Sequence, residues 1–181
     1  MSEVSLPLLG FAAWSGSGKT TLLTKVIALL KEKGLRVGVI KHSHHHFDID
    51  QPGKDSYALR EAGSAQVIIA SRQRLASIIE LPEARPDPQL QDALSMIQVN
   101  RLDIILVEGF KDENIAKIEI HRKELDRPYL YPHDKQVIAL VEDHPEPGTT
   151  PTGMPHLDLN KPAQIVEFIE QWLSNVQKES K

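Results

Sequence analysis

Between an apolar run and an amphipathic one, residues 13–20 read AWSGSGKT, and this short turn constrains the fold more than any other feature of the chain. Leu6 to Trp14 (LPLLGFAAW) is almost wholly apolar, as a buried strand is. Leu22, Leu23, Val26, Ile27, Leu29 and Leu30 then recur at the spacing of one helix face. Gly34 closes that helix, and Leu35 to Ile40 (LRVGVI) carries the β-branched residues of a second strand. Strand, tight loop, helix and strand form a βαβ unit, which requires a parallel pair and a right-handed crossover. The expected fold is α/β: three layers of the P-loop type around a mostly parallel central sheet, with an antiparallel hairpin or edge strands.

The turn itself has a chemistry. The phosphate-binding pattern G-x-x-x-x-G-K-[ST] matches Ala13 to Thr20 at every fixed position but the first, where Ala13 replaces glycine. Gly16 and Gly18 allow backbone conformations that turn successive N–H groups inward, and the helix N-terminus behind them adds partial positive charge. Ser15, Gly16, Ser17 and Gly18 therefore read as an anion cradle. Lys19 is placed to reach the outer phosphates, Thr20 to offer its hydroxyl to Mg²⁺ and Thr21 to bond an inner phosphate.

Leu102 to Val107 (LDIILV) has five apolar residues in six, as a central parallel strand buried on both faces has. Two acids flank it, Asp103 and Glu108, separated by roughly 16 Å along an extended chain. Ligands of open α/β sheets sit at the carboxyl ends of the strands. Glu108 is therefore the candidate for holding or orienting a magnesium-bound water, and a catalytic partner of Lys19, whereas Asp103 reads as structural. Lys41, Asp48, Asp50, Lys54 and Asp55 lie in or beside the polar loop KHSHHHFDIDQPGK, where a switch-like segment can approach nucleotide; Asp48 is a further candidate ligand for Mg²⁺.

His42, His44, His45 and His46 do not by themselves make a metal site. No cysteine supports them, neighbouring imidazoles cannot all converge, and a solvated loop or a contact to phosphate or pterin explains the run equally well. The guanine-reading pattern N-K-x-D is absent, since Asn160-Lys161 is followed by Pro162 and Ala163; that pair reads as a cap opening the last helix. Asp143, past the strand VIALV, is better placed to accept from guanine N1 and N2.

Elsewhere, Asp55 to Ala62 reads as a short helix, Val67–Ala70 and Leu75–Leu81 as a hairpin, and Gln89 to Gln98 as a helix after a proline-rich connection. Ile115 to Ile120 (IAKIEI) alternates as a half-exposed or edge strand does. At 181 residues with 40% apolar and 25% charged side chains, one domain over residues 1–181 is expected. The net charge of −4 gives no general attraction to nucleic acid or anionic membrane, so phosphate binding must be local. The absence of cysteine, of a leader and of a membrane-length apolar run points to the cytoplasm.

The blocks FAAWSGSGKTTLL, VIKHSHHHFDIDQPGKDSYALREAG, LDIILVEGFK and VIALVEDHP resemble, in order, those of the molybdopterin-guanine dinucleotide biosynthesis protein B family, over about residues 6 to 145. The resemblance implies a homodimer that binds GTP with weak, magnesium-dependent hydrolysis. It also implies an adaptor role beside a molybdopterin guanylyltransferase, in contact with molybdopterin or its guanine dinucleotide. Ser15 to Thr21 match that family's phosphate loop, Glu108 its VEG strand end, and Lys41 to Asp55 its His-rich loop. Trp14 stands where the deviant loops of partitioning ATPases carry a lysine, so that intersubunit lysine is lacking. Without the resemblance, the residues fit a P-loop kinase or ATP-dependent ligase of small molecules as well.

Overall fold

The computed structural model describes residues 6–43, 47–82, 87–143 and 153–179. They divide into two compact units, one from Met1–His42 with Leu90–Lys181 and one from Ser43–Gln89. In chain order the first unit begins with β1 (Leu8–Ala13), α1 (Lys19–Glu32) and β2 (Val37–Lys41). The second holds α2 (Asp55–Glu61), β3 (Gln66–Ala70) and β4 (Leu75–Ile79). The first then resumes with α3 (Leu90–Leu94), β5 (Ile104–Glu108), β6 (Lys117–His121), β7 (Val137–Glu142), β8 (His156–Asp158) and α4 (Pro162–Glu179).

The first unit is built on a six-stranded sheet in the order β2-β5-β1-β6-β7-β8, with every pair parallel. Alternate residues of its strands, among them Leu9, Phe11, Ile104, Leu106, Ile118, Ile120, Ala139 and Val141, share one face and pack with Leu22, Leu23, Val26 and Leu30 of α1 and with Ile165, Val166, Ile169 and Leu173 of α4. On the other face Ile40, Ile105 and Val107 meet Leu90 and Leu94 of α3. Helices thus cover both faces, the three-layer arrangement expected for strands this apolar. In the second unit β3 and β4 pair antiparallel, which is the expected hairpin.

Three local expectations are corrected. β6 is an inner strand, flanked by β1 and β7, and all five of its residues are buried. Its polar row is covered by the chain before and after β6 rather than by water: Lys117 Nζ donates to the Glu113 carbonyl at 2.6 Å and to Asp134 at 2.9 Å, and Glu119 accepts the N–H groups of Leu130 and Tyr131 at 2.7 and 2.8 Å. Alternation of polarity usually marks one wet face, but here a polar lid of chain takes the place of solvent. The helix expected to reach Gln98 ends at Leu94, because the next N–H groups tighten to i−3 bonds, Met96 to Ala93 and Ile97 to Leu94. Asn160 is not the N-cap of α4, which begins at Pro162 directly after Lys161: the Asn160 Nδ2 donates to the Asp143 carbonyl at 3.3 Å and its N–H to Asp158 Oδ1 at 2.8 Å, in a turn that delivers Pro162 to the first helical position.

Candidate phosphate-binding site

Where β1 ends, the chain turns through Trp14 to Gly18 and enters α1 at Lys19. Gly16 (φ 82°) and Gly18 (φ 79°) both occupy the left-handed region that side chains with a Cβ rarely adopt. No side chain caps α1 and no acid stands in its first turn, so its first N–H groups and its dipole are left for an anion. Trp14 to Thr21, joined by Glu108, line a cavity of about 280 Å³.

Sheet register supplies the rest. Glu108, the last residue of β5, stands opposite Phe11 of β1 on one side and Lys41 of β2 on the other. Its carboxylate therefore reaches the loop from the sheet's carboxyl edge. Thr20 Oγ1 donates to Glu108 Oε1 at 3.2 Å, and the ammonium groups of Lys19 and Lys41 lie 4.0 and 3.6 Å from the same oxygen. The Glu108 side chain is 12% exposed, against 57% for Lys41, so Lys41 reaches in from the rim.

The donor set suits an Mg²⁺-bound nucleotide. Magnesium is held by one or two hard protein oxygens and completes its shell with phosphate and water, and the adjacent Thr20 hydroxyl and Glu108 carboxylate are such oxygens. Among the described residues no group of three His, Cys, Asp or Glu side chains converges to hold a metal ion. The remaining ligands of a divalent cation here would therefore come from phosphate and water. Ser17 Oγ is buried in the cradle with no hydrogen-bond partner. A buried hydroxyl left this way costs stability, and a phosphate oxygen is a partner that would satisfy it.

At the other end of β5, Asp103 holds Arg36 through the backbone N–H (2.7 Å), Nε (3.0 Å) and Nη2 (2.8 Å). The Arg36 hydrogen bonds lower the Asp103 carboxyl to about 2. Asp103 is thus a structural clamp, and Glu108 is the acid that meets the phosphate loop.

The other candidates fall elsewhere. Asp143 follows β7, two strands from β1, with its carbonyl taking a bond from Asn160 Nδ2 at 3.3 Å, and it does not line the cavity. Asp48, Asp50, Lys54 and Asp55 belong to the second unit. There Asp48 and Asp50 both pair with Arg60, at 3.2 and 3.1 Å, Lys54 precedes α2 and Asp55 opens it. His44 to His46 lie outside the described residues.

Sequence reasoning missed two arginines. Arg60 gathers Asp48, Asp50, Glu61 and Glu80 and lies over the Tyr57 ring. Arg122, just past β6, donates from Nε to the Ser17 carbonyl at 2.8 Å. Arg60 lies within the His-rich block but carries no phosphate-binding signature, Arg122 lies outside every block, and only their contacts in the fold reveal what they hold.

Known proteins resemble this chain along most of its length. The sequence model of a family described as Molybdopterin guanine dinucleotide synthesis protein B, MobB, matches residues 8–143. A Molybdopterin-guanine dinucleotide biosynthesis adapter protein of Escherichia coli (strain K12) is 47% identical over 94% of this chain and 95% of its own length. A protein of the same name from Haemophilus influenzae is 45% identical over 93% of this chain and 90% of its own. The crystal structure of Bacillus subtilis MobB superimposes with a TM-score of 0.69 at 25% identity, covering 92% of this chain and 98% of that one.

Proposed function

The chain belongs to the molybdopterin guanine dinucleotide synthesis protein B family, and on that premise we propose that it is a GTP-binding adaptor in the making of molybdopterin guanine dinucleotide. The observation that carries the nucleotide is the cavity at the end of β1, lined by the uncapped N-terminus of α1 with Lys19, Thr20 and Glu108, beside which the Ser17 hydroxyl is buried without a partner. The adaptor role is supported by the E. coli and H. influenzae relatives, whose names give it and which match nearly end to end.

In this reading Gly16 to Thr21 hold the phosphates, Lys19 and Lys41 supply positive charge beside them, and Thr20 and Glu108 hold Mg²⁺. The metal's contribution is to neutralise phosphate charge. Slow hydrolysis follows from Glu108, the one carboxylate lining the cavity among the described residues. It is already engaged by Thr20 and by two ammonium groups, so it is a poor general base. Asp143, at the carboxyl edge of the sheet, is the proposed reader of guanine. Asp48, Asp50, Lys54 and Asp55 are assigned to a nucleotide-sensing segment.

We assign a homodimer as the working form. It is supported by the hairpin of the second unit, where Ile68 and Leu75 are each at least 60% exposed on a sheet of only two strands; such a hairpin is marginal without further packing. The partner is a molybdopterin guanylyltransferase, with molybdopterin or its dinucleotide at the shared surface. Among the described residues no helix is long and apolar enough to cross a membrane, and the cytoplasm is the compartment we propose.

Phosphate release from GTP and from ATP, with Mg²⁺ and with or without a molybdopterin-loaded guanylyltransferase, tests this reading. Slow, GTP-selective release that changes when the transferase is added is the expected result. Fast release that needs only a small molecule would make the chain a phosphotransferase and remove the adaptor role.

A further inference from the structure

The phosphate loop is braced from behind by a residue that belongs to no motif. Arg122 is the first residue after β6, and its Nε donates to the carbonyl of Ser17 at 2.8 Å across 105 positions of sequence. Its Nη2 lies 3.2 Å from where a Cβ on Gly18 would stand, so the guanidinium fills the space that a side chain at Gly18 would need. No carboxylate among the described residues pairs with it.

The consequence follows from the geometry of the peptide bond. The Ser17–Gly18 peptide is trans, as every described peptide is, so its C=O and N–H point in opposite directions. A guanidinium that fixes the carbonyl outward also fixes the Gly18 N–H toward the opposite side. Ser17 and Gly18 both line the cavity. A charged donor on the carbonyl moreover polarises the amide and strengthens its N–H as a donor.

We propose that Arg122 is a positioning residue of the phosphate loop, turning and polarising the Ser17–Gly18 peptide so that the Gly18 N–H faces the bound anion. The proposal deepens the nucleotide-binding reading above and rests on it for the identity of the anion.

The segment that carries Arg122 is fixed well enough to act as a brace. Trp14 Nε1 donates to the Pro128 carbonyl at 2.8 Å, the Arg127 guanidinium lies 5.6 Å from the Trp14 ring centre, and Leu125 comes within 3.9 Å of a Cβ position at Gly16. Behind these contacts Glu119 holds the N–H groups of Leu130 and Tyr131, and Glu142 accepts the Tyr129 hydroxyl at 2.6 Å. The arginine thus approaches the loop from a segment tied both to the loop and to the sheet. A donor prealigned in this way gives binding energy without reorganisation.

The test uses the full chain and three proteins: wild type, Arg122→Ala and Arg122→Lys. The Gly18 amide resonance is recorded without nucleotide, and GTP·Mg²⁺ affinity is measured with and without guanidinium chloride well below denaturing concentration. Arg122→Ala is expected to shift the Gly18 amide and to weaken GTP about ten-fold at an unchanged melting temperature. Added guanidinium should restore part of that loss, and Arg122→Lys, whose ammonium can donate to the same carbonyl, should keep most of the affinity. An unmoved Gly18 resonance overturns the proposal whatever happens to affinity, and so does a loss in Arg122→Ala that neither guanidinium nor lysine relieves. Failure of the wild type to bind GTP would instead sink the functional reading, and the Gly18 resonance would still decide the role of Arg122.

Discussion

Two neighbouring strands of the same sheet end in opposite ways. At the end of β1 polar groups are left without partners beside a cavity: α1 has no side-chain cap, and Ser17 Oγ is buried without a hydrogen bond. Along β6, directly beside it, Lys117 and Glu119 are more deeply buried than most of the site, yet each is matched by groups of the segment that follows. His121 Nε2 meets the Arg127 carbonyl at 2.9 Å, its buried Nδ1 makes no hydrogen bond but lies 3.3 Å from Glu142 Oε1, and Glu142 takes the Tyr129 hydroxyl and pairs with His156. Burial lifts the Glu119 carboxyl above its ordinary value against the two N–H groups that lower it, and burial, then Glu142, lift the Tyr129 hydroxyl. A buried polar cluster that closes on itself is architecture. One that leaves donors facing a cavity is where a ligand belongs.

That contrast breaks most sharply at Lys19. Lys19→Ala should weaken GTP at least about a hundred-fold, about 2.7 kcal/mol, with the melting temperature unchanged, as read by calorimetric titration beside a thermal melt. A variant that binds normally, or that unfolds, would erase the difference between the two regions. Glu119→Ala should do the reverse. It leaves two buried N–H groups without an acceptor and should lower stability by about 2 kcal/mol, measured by urea unfolding.

Ser17→Ala sharpens the comparison further. Removing an unpartnered buried hydroxyl should raise nucleotide-free stability by about 1 kcal/mol while reducing GTP affinity a few-fold. A stability loss without any change in binding would show that the hydroxyl serves the fold. The smallest effect is expected far from the cavity. Asp103, lowered to about 2 by Arg36, stabilises the fold above its unfolded value near 3.8, and this contribution is lost as pH falls through about 2. Asp103→Asn should flatten acid unfolding between those values and leave GTP binding untouched, as followed by urea midpoints across that range.

How much of this was legible in the sequence depends on the range of the interaction. The phosphate loop, α1 and β5 were readable because glycine positions, helical spacing and continuous apolarity are local signals, and the choice of Glu108 over Asp103 needed only strand direction. The edge reading of β6 failed because its polar row is covered by chain rather than by water, and nothing in IAKIEI announces Glu113, Asp134 or the backbone of Leu130 and Tyr131 as partners. Arg60 and Arg122 were invisible for the same reason. The end of α3 at Leu94 escaped because its last turns tighten without any breaker residue to mark them.

The most direct test of the account is calorimetric titration of GTP·Mg²⁺, with ATP·Mg²⁺ as the comparison, into wild type and Lys19→Ala, both carrying Trp172→Phe so that tryptophan fluorescence followed in the same samples reports Trp14, a residue that lines the cavity. The account predicts one saturable GTP site per chain, weaker ATP binding, a fluorescence change that tracks occupancy, and loss of all three in Lys19→Ala. Absence of saturable binding of either nucleotide to the folded wild type would contradict it.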